Sequence, residues 1–269
     1  LTLDDVQAFY DTHYGPQNAE ILAVSDLPRN ALVGRLKPIG KWEGKTKDAP
    51  VLKPFPKLAA GTLYFIDKPD AAQSQIRIGK RALKYDATGE YHRAYLMNYA
   101  LGGAFNSRVN LNLREDKGYT YGARAGFSGN NLRGYYSARA GVRADSTLDS
   151  IQQFLNELSG YQKDGITDTE LSFTKNAIGQ ADARAYETPS QKLGFLSEIA
   201  LYDLKPEFVD EQNEILQNLT KAEVDALAAK HLDTDEMIIV VVGDKDVVFD
   251  DLKTLGMPIV ELDADGNTL

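Results

Sequence analysis

Two side chains seven residues apart, Arg114 and Tyr121, carry the most direct chemistry in this sequence, within the stretch LGGAFNSRVNLNLREDKGYTYG (101–122). An arginine offers a planar fork of N–H donors and a phenol one O–H donor, so the pair can hold a peptide carbonyl or a developing oxyanion. The spacing predicts a helix–strand corner. Phe105, Val109, Leu111 and Leu113 are the apolar positions of the helix, Gly118 suits its left-handed end, and TYGARAGFS reads as the strand beyond. Arg114 then falls in the last helical turn and Tyr121 at the start of the strand. A purely structural arrangement is also open: an arginine on terminal helix carbonyls and a tyrosine half-buried in a sheet. Residue types alone favour the second.

The pattern LGGAFNSRxxxxLREDKGYTYG resembles the motif in the C-terminal half of insulinase/pitrilysin-type zinc peptidases, the family that includes mitochondrial processing peptidase. The resemblance implies that Arg114 and Tyr121 bind substrate, with Gly102, Ser107, Arg108 and Gly118 as supporting positions. It also implies an H-x-x-E-H helix in an N-terminal half, where the paired histidines bind zinc and the glutamate acts as base. Here the three histidines, His13, His92 and His231, have no Glu or His at that spacing. No metal ligand, cofactor or catalytic residue is therefore expected in this chain. Zinc is expected in the other half, either upstream in the same polypeptide or on a partner subunit, and an unfolded peptide is the expected substrate. Two functions follow from the resemblance: the substrate-binding domain of a zinc metalloendopeptidase, or a non-catalytic structural subunit of the same fold. The presence of both Arg114 and Tyr121 favours the first, since a scaffold has no need of the pair.

Composition excludes several rivals. A net charge of −9 without a long basic block argues against nucleic acid and anionic membranes. There is no Cys, hence no disulfide, thiolate metal site or thiol nucleophile. G-x-S-x-G, G-x-x-x-x-G-K-[ST] and EF-hand patterns are missing, and no apolar run reaches the roughly 18 residues of a membrane span. Opening at Leu1 rather than Met, the chain is expected to be a segment of something longer.

The elements that position the pair are expected in an α+β order, with an antiparallel or mixed sheet and helices packed on one face. Residues 61–69 and 74–83 read as neighbouring strands, and 91–101 as a helix whose Tyr91, Tyr95 and Tyr99 form a core stripe. The stretches 119–128 and 134–143 read as a hairpin. In its second strand Tyr136, Ala138, Ala140 and Val142 point one way, Ser137, Arg139 and Arg143 the other. Residues 145–231 read as helical, with starts at Asp145 or Ser146, Thr167, Thr188, Pro206 and Thr220. MIIVVVGD (237–244) is an apolar strand deep in the sheet. Residues 1–26 align without a gap on 219–244, matching Thr2 to Thr220, Val6 to Val224 and His13 to His231. This repeat divides the chain into a tail of an upstream copy (1–40), a Pro- and Lys-rich linker (41–58) and a complete copy (59–269). Each copy is expected to give a capped helix, an apolar strand and a short helix.

Overall fold

A computed structural model describes residues 1–44, 59–182 and 184–269. In chain order its helices are α1 (Leu3–His13), α2 (Arg29–Leu36), α3 (Glu90–Asn98), α4 (Arg108–Asn110), α5 (Thr147–Asp164), α6 (Asp168–Asp182), α7 (Pro189–Tyr202), α8 (Phe208–Asn218), α9 (Lys221–His231) and α10 (Lys245–Lys253). The strands are β1 (Leu63–Asp67), β2 (Gln73–Ala82), β3 (Thr120–Gly129), β4 (Gly134–Arg143), β5 (Ile238–Gly243) and β6 (Ile259–Leu262). The chain divides into two compact units, Leu1–Lys57 with Ala183–Leu204, and Leu58–Asp182 with Lys205–Leu269. Apart from 41–44, the expected linker lies outside the described residues.

In the larger unit the strands form one mixed sheet, ordered β3-β4-β2-β5-β1-β6. β5 lies parallel to β1 and antiparallel to β2. The strands β1 and β2 are thus not neighbours, contrary to the sequence expectation. The most continuously apolar strand, IIVVVG, takes the place between them, where both its edges are paired. Alternation along β2 and β4 buries Ser74, Ile76 and Ile78 and Tyr136, Ala138, Ala140 and Val142 on one face. Against that face pack Leu96 and Met97 of α3, Ile151, Phe154, Leu158 and Tyr161 of α5, and Val224 and Ala228 of α9. Each Leu, Met, Ile, Phe or Val among them contributes about 1.5–3 kcal/mol on burial. The result is the expected α+β fold, with one helix-covered face.

Other local readings differ in part. The tyrosine stripe is not core: α3 buries Ala94, Leu96, Met97 and Asn98, while Tyr95 is 43% exposed. Its neighbours pack in tilted ring pairs instead, Tyr91 with Tyr85 at 5.3 Å and Tyr99 with Phe173 at 5.7 Å. Capping boxes do start α6, α7 and α9, through Thr167–Glu170, Thr188–Gln191 and Thr220–Glu223. Ser146 precedes α5 without capping it, because its hydroxyl donates to Asp145 Oδ1 (2.8 Å). Helix α8 begins at Phe208, two residues beyond Pro206.

The smaller unit contains α1, α2 and α7. Helix α1 opens with the same device as α9: the Thr2 side chain accepts from Asp5 N–H, and Asp5 accepts from Thr2 N–H. A 3₁₀ turn then follows at Pro16–Asn18, matching Thr234–Glu236 after α9. The likeness stops there. Residues 20–25 form no strand, whereas the aligned 238–243 are β5. A strand needs a partner for its N–H and C=O groups, and none is present at 20–25 among the described residues. Burial differs correspondingly: Val6 is 57% exposed, Val224 fully buried.

Candidate functional site

The corner is built from helical turns wider than α. After α3 the chain passes through a π turn, Tyr99–Gly103, closed by Ala104 N–H on Tyr99 O (2.9 Å). Gly102 is there because a Cβ would meet Ala125 Cβ at 2.4 Å and its backbone N at 2.6 Å. The turn therefore lies directly on β3. Ser107, fully buried, stands at the N-cap of α4, and its carbonyl accepts from Asn110 and Leu111 N–H. A second π turn, Leu111–Asp116, carries Arg114 and ends at Gly118, whose φ of +66° is the left-handed value anticipated. Tyr119 N–H closes the end on Leu113 O (2.9 Å).

Of the four apolar positions read before Arg114, only Val109 and Leu113 are buried; Phe105 is 54% and Leu111 41% exposed. Leu111 opens the wider turn, which rotates side chains off the α-helical stripe, and Phe105 lies in the irregular turn before α4, outside any helix. Exposed Phe105 has a use: the Arg114 guanidinium lies 4.5 Å from its ring centroid. Arg114 Nη1 stands 3.3 Å from Glu115 Oε1 without hydrogen-bond geometry, and this buried nitrogen has no hydrogen-bond partner among the described residues. It does not bond the terminal helix carbonyls.

Tyr121 is placed by a β-bulge. The register of β3 on β4 runs Thr120↔Val142 and then Ala123↔Ala140, leaving two residues of β3 opposite one of β4. Thr120 Oγ1 donates to Gly141 O (2.7 Å), and Gly122 N–H donates to Thr120 Oγ1 (3.1 Å). The Tyr121 side chain is thrown outward, 93% exposed. Buried Asn110 joins both halves of the corner. Its Nδ2 donates to Phe105 O (2.7 Å), and its Oδ1 accepts from Ala123 N–H (2.9 Å). One asparagine thus fixes the backbone carrying Arg114's platform and the bulge carrying Tyr121. Sequence reading missed it, because Asn110 sits in an otherwise ordinary amphipathic run.

Arg108 is taken up inside the fold. It grips Glu170 with Nε and Nη2 (2.5 and 2.6 Å), reaches Gly165 O (3.2 Å) and stacks 4.7 Å from the Tyr161 ring centroid. Its guanidinium pKa is raised, chiefly by the hydrogen bond to Glu170. The histidines are dispersed in role. His231 Nε2 lies 2.8 Å from Glu90 Oε1, an α3 carboxylate rather than a carbonyl of its own helix end. Burial holds His92 below the usual imidazole range, and its Nε2 has no partner among the described residues. His13 packs on Phe9 at 4.6 Å. Among the described residues no group of three or more His, Asp or Glu could hold a metal ion. No helix among them is long and apolar enough to cross a membrane.

A family model described as the peptidase M16 inactive domain matches residues 1–178. An uncharacterized zinc protease of Streptomyces coelicolor is 29% identical over 188 residues, 67% of this chain and 39% of its own length. One from Bacillus subtilis is 23% identical over 193 residues, 71% and 45%. The chain thus spans half or less of the length of these two curated relatives. Among solved structures, a peptidase M16 inactive domain from Pseudomonas fluorescens superposes with a TM-score of 0.77 at 25% identity, over 91% of this chain and 57% of that one. A protease from Helicobacter pylori gives 0.73 at 18% identity, over 90% and 59%.

Proposed function

This chain belongs to the peptidase M16 inactive-domain family, and from that premise we propose that it is the substrate-binding half of a zinc metalloendopeptidase. Its partner is a zinc-bearing half carrying H-x-x-E-H, in the same polypeptide or on another subunit, and its ligand is an unfolded peptide. The supporting observation is the corner itself: a bulge holds Tyr121 93% exposed, while a buried nitrogen of Arg114 is left without a hydrogen bond. Among the described residues neither the Tyr121 hydroxyl nor Arg114 Nη1 makes a hydrogen bond. Arg114 and Tyr121 each donate to a substrate carbonyl, or to the oxyanion that one carbonyl becomes, with Gly118 setting the angle between helix and strand. Zinc held by the partner half would supply the activated water.

The test is steady-state kinetics of the two-half enzyme with Arg114→Ala and Tyr121→Phe, with melting temperature read on the same samples. A donor to the oxyanion costs on the order of 10²-fold in kcat, whereas a donor to the ground-state peptide raises KM. Several carbonyls are bound and only one reacts, so a mixed effect is expected. Normal kinetics in both variants would end the assignment and favour the scaffold reading.

A further inference from the structure

Arg124, Arg139 and Arg77 stand side by side on three adjacent strands. Arg124 is the register partner of Arg139, and Arg139 that of Arg77. All three are exposed, on the sheet face opposite the buried one. The row continues through Val240, Tyr64 and Val260, on β5, β1 and β6, all half-buried. Like charges directly opposite one another destabilise a sheet, and here the arrangement occurs twice in succession. Arg93, Arg108, Arg114 and Arg143 each have a carboxylate within ion-pair distance. Among the described residues Arg77, Arg124 and Arg139 have none. Of the three, Arg124 alone is anchored among the described residues, its Nη1 donating to Gly103 O (2.6 Å). In a chain of net charge −9, acidic residues are plentiful, yet among the described residues none pairs with these three. A local rule broken without internal compensation marks a functional surface.

We propose that this row binds the side-chain carboxylates of an extended acidic peptide segment. A cavity of about 360 Å³ opens at its β3 end, lined by Gly102, Gly103, Arg124, Tyr135, Ser137 and Arg139. Adjacent strands lie about 4.8 Å apart, so three arginine-bearing strands span roughly 10 Å, and an extended peptide sets same-side residues about 7 Å apart. Two carboxylates at alternate positions, about 7 Å apart, therefore fall within the row, the long arginine side chains taking up the difference in spacing, and a guanidinium fork takes a carboxylate bidentately. Val240 and Tyr64 offer apolar contact to the residues that follow. The inference rests on the reading above, in which a peptide is the substrate, and adds the charge of the segment bound.

The experiment measures fluorescence anisotropy on the 269-residue chain with a labelled, C-terminally amidated peptide carrying Glu at alternate positions, against the same peptide with Gln. The Glu peptide is expected to bind at least about tenfold tighter, with the margin shrinking as salt rises. Arg139→Gln, at the centre of the row, removes most of that margin, and its melting temperature stays level or rises as cross-strand repulsion is relieved. Arg77→Gln gives a second, independent loss should Arg139→Gln fold poorly. Equal binding of the two peptides, an intact preference in both variants, or a preference only for peptides ending in a free carboxylate would each overturn the proposal. Absence of the preference while cleavage still needs Arg114 and Tyr121 sinks this inference alone. Cleavage indifferent to Arg114 and Tyr121 sinks the reading beneath it.

Discussion

Arg114 and Arg108 stand six residues apart and answer to different physics. Arg114 rests on one aromatic ring, lies beside Glu115 and is a third exposed, with its buried Nη1 left without a hydrogen bond among the described residues. Arg114→Lys is therefore expected to be impaired in catalysis despite retaining charge, because an ammonium lacks the planar fork; parity with the wild type would contradict this. Arg108 is committed to Glu170, and both side chains are less than a quarter exposed. Arg108→Ala is expected to lower stability by about 2–4 kcal/mol, since it leaves a part-buried carboxylate unpaired. A pH dependence accompanies it. Burial pushes the Glu170 pKa up, but hydrogen bonds from Arg108 and Thr167 outweigh that and leave it below the ordinary 4.5. A depressed carboxylate contributes stability that is complete above its unfolded pKa and is lost as pH falls through the folded value. The wild type should thus lose stability on acidification below pH 4.5, and Arg108→Ala should flatten that limb. Urea melts across the acid range give the answer, and parallel limbs would refute the coupling.

At the scale of elements, Asn110 and Gly102 determine whether the corner keeps its shape. Asn110→Ala strands the Ala123 N–H and the Phe105 carbonyl, at about 1–3 kcal/mol. Because the same residue holds the bulge and Arg114's platform, specific activity per folded molecule should fall as well. Unchanged specific activity would mean that the corner does not depend on it. For Gly102→Ala the contact is with β3 backbone, which cannot rotate away as a side chain can, so a loss of about 1–3 kcal/mol is expected. Gly160, in mid-helix α5 with open space around its Cβ position, is the control: Gly160→Ala should gain about 0.5–1 kcal/mol. Thermal melts that rank the two glycines the other way would remove the close-approach argument.

For the whole molecule, the repeat reading proposes that residues 1–40 are the tail of an upstream copy. It is supported by identical capping devices on α1 and α9, and by Val6 being exposed where Val224 is buried. Amide exchange is expected to be fast at 20–25, which lack strand partners, and slow at 238–243, paired on both sides by β1 and β2. Extending the chain upstream should slow exchange at 20–25. Equal protection of the two segments, or no effect of the extension, would count against the tail. The isolated chain should also take up no stoichiometric zinc, read by elemental analysis.

What the sequence determined by itself rested on local physics. Thr-x-x-Glu/Gln boxes start helices whatever lies beyond them, Gly118 marks a left-handed end, and period-two alternation in β4 selects the face that Tyr136, Ala138, Ala140 and Val142 bury. The Arg114–Tyr121 spacing was legible for the same reason, since a helix end and a strand start are near-neighbour events. Tertiary structure decided what depends on partners distant in the chain. β5 lies between β1 and β2 because a fully apolar strand is most stable with both edges paired, and no window of sequence contains all three strands. Residues 20–25 fail to become a strand despite matching 238–243, because strand formation needs a neighbour that local sequence cannot supply. Leu111 left the core through a π turn and Tyr121, within β3, was turned outward by a bulge, each adding a residue where a regular period would not. The arginine row exists only in the register: Arg124 and Arg139 face each other across one hairpin, and Arg77, distant in the chain, joins them through the pairing of β2 with β4.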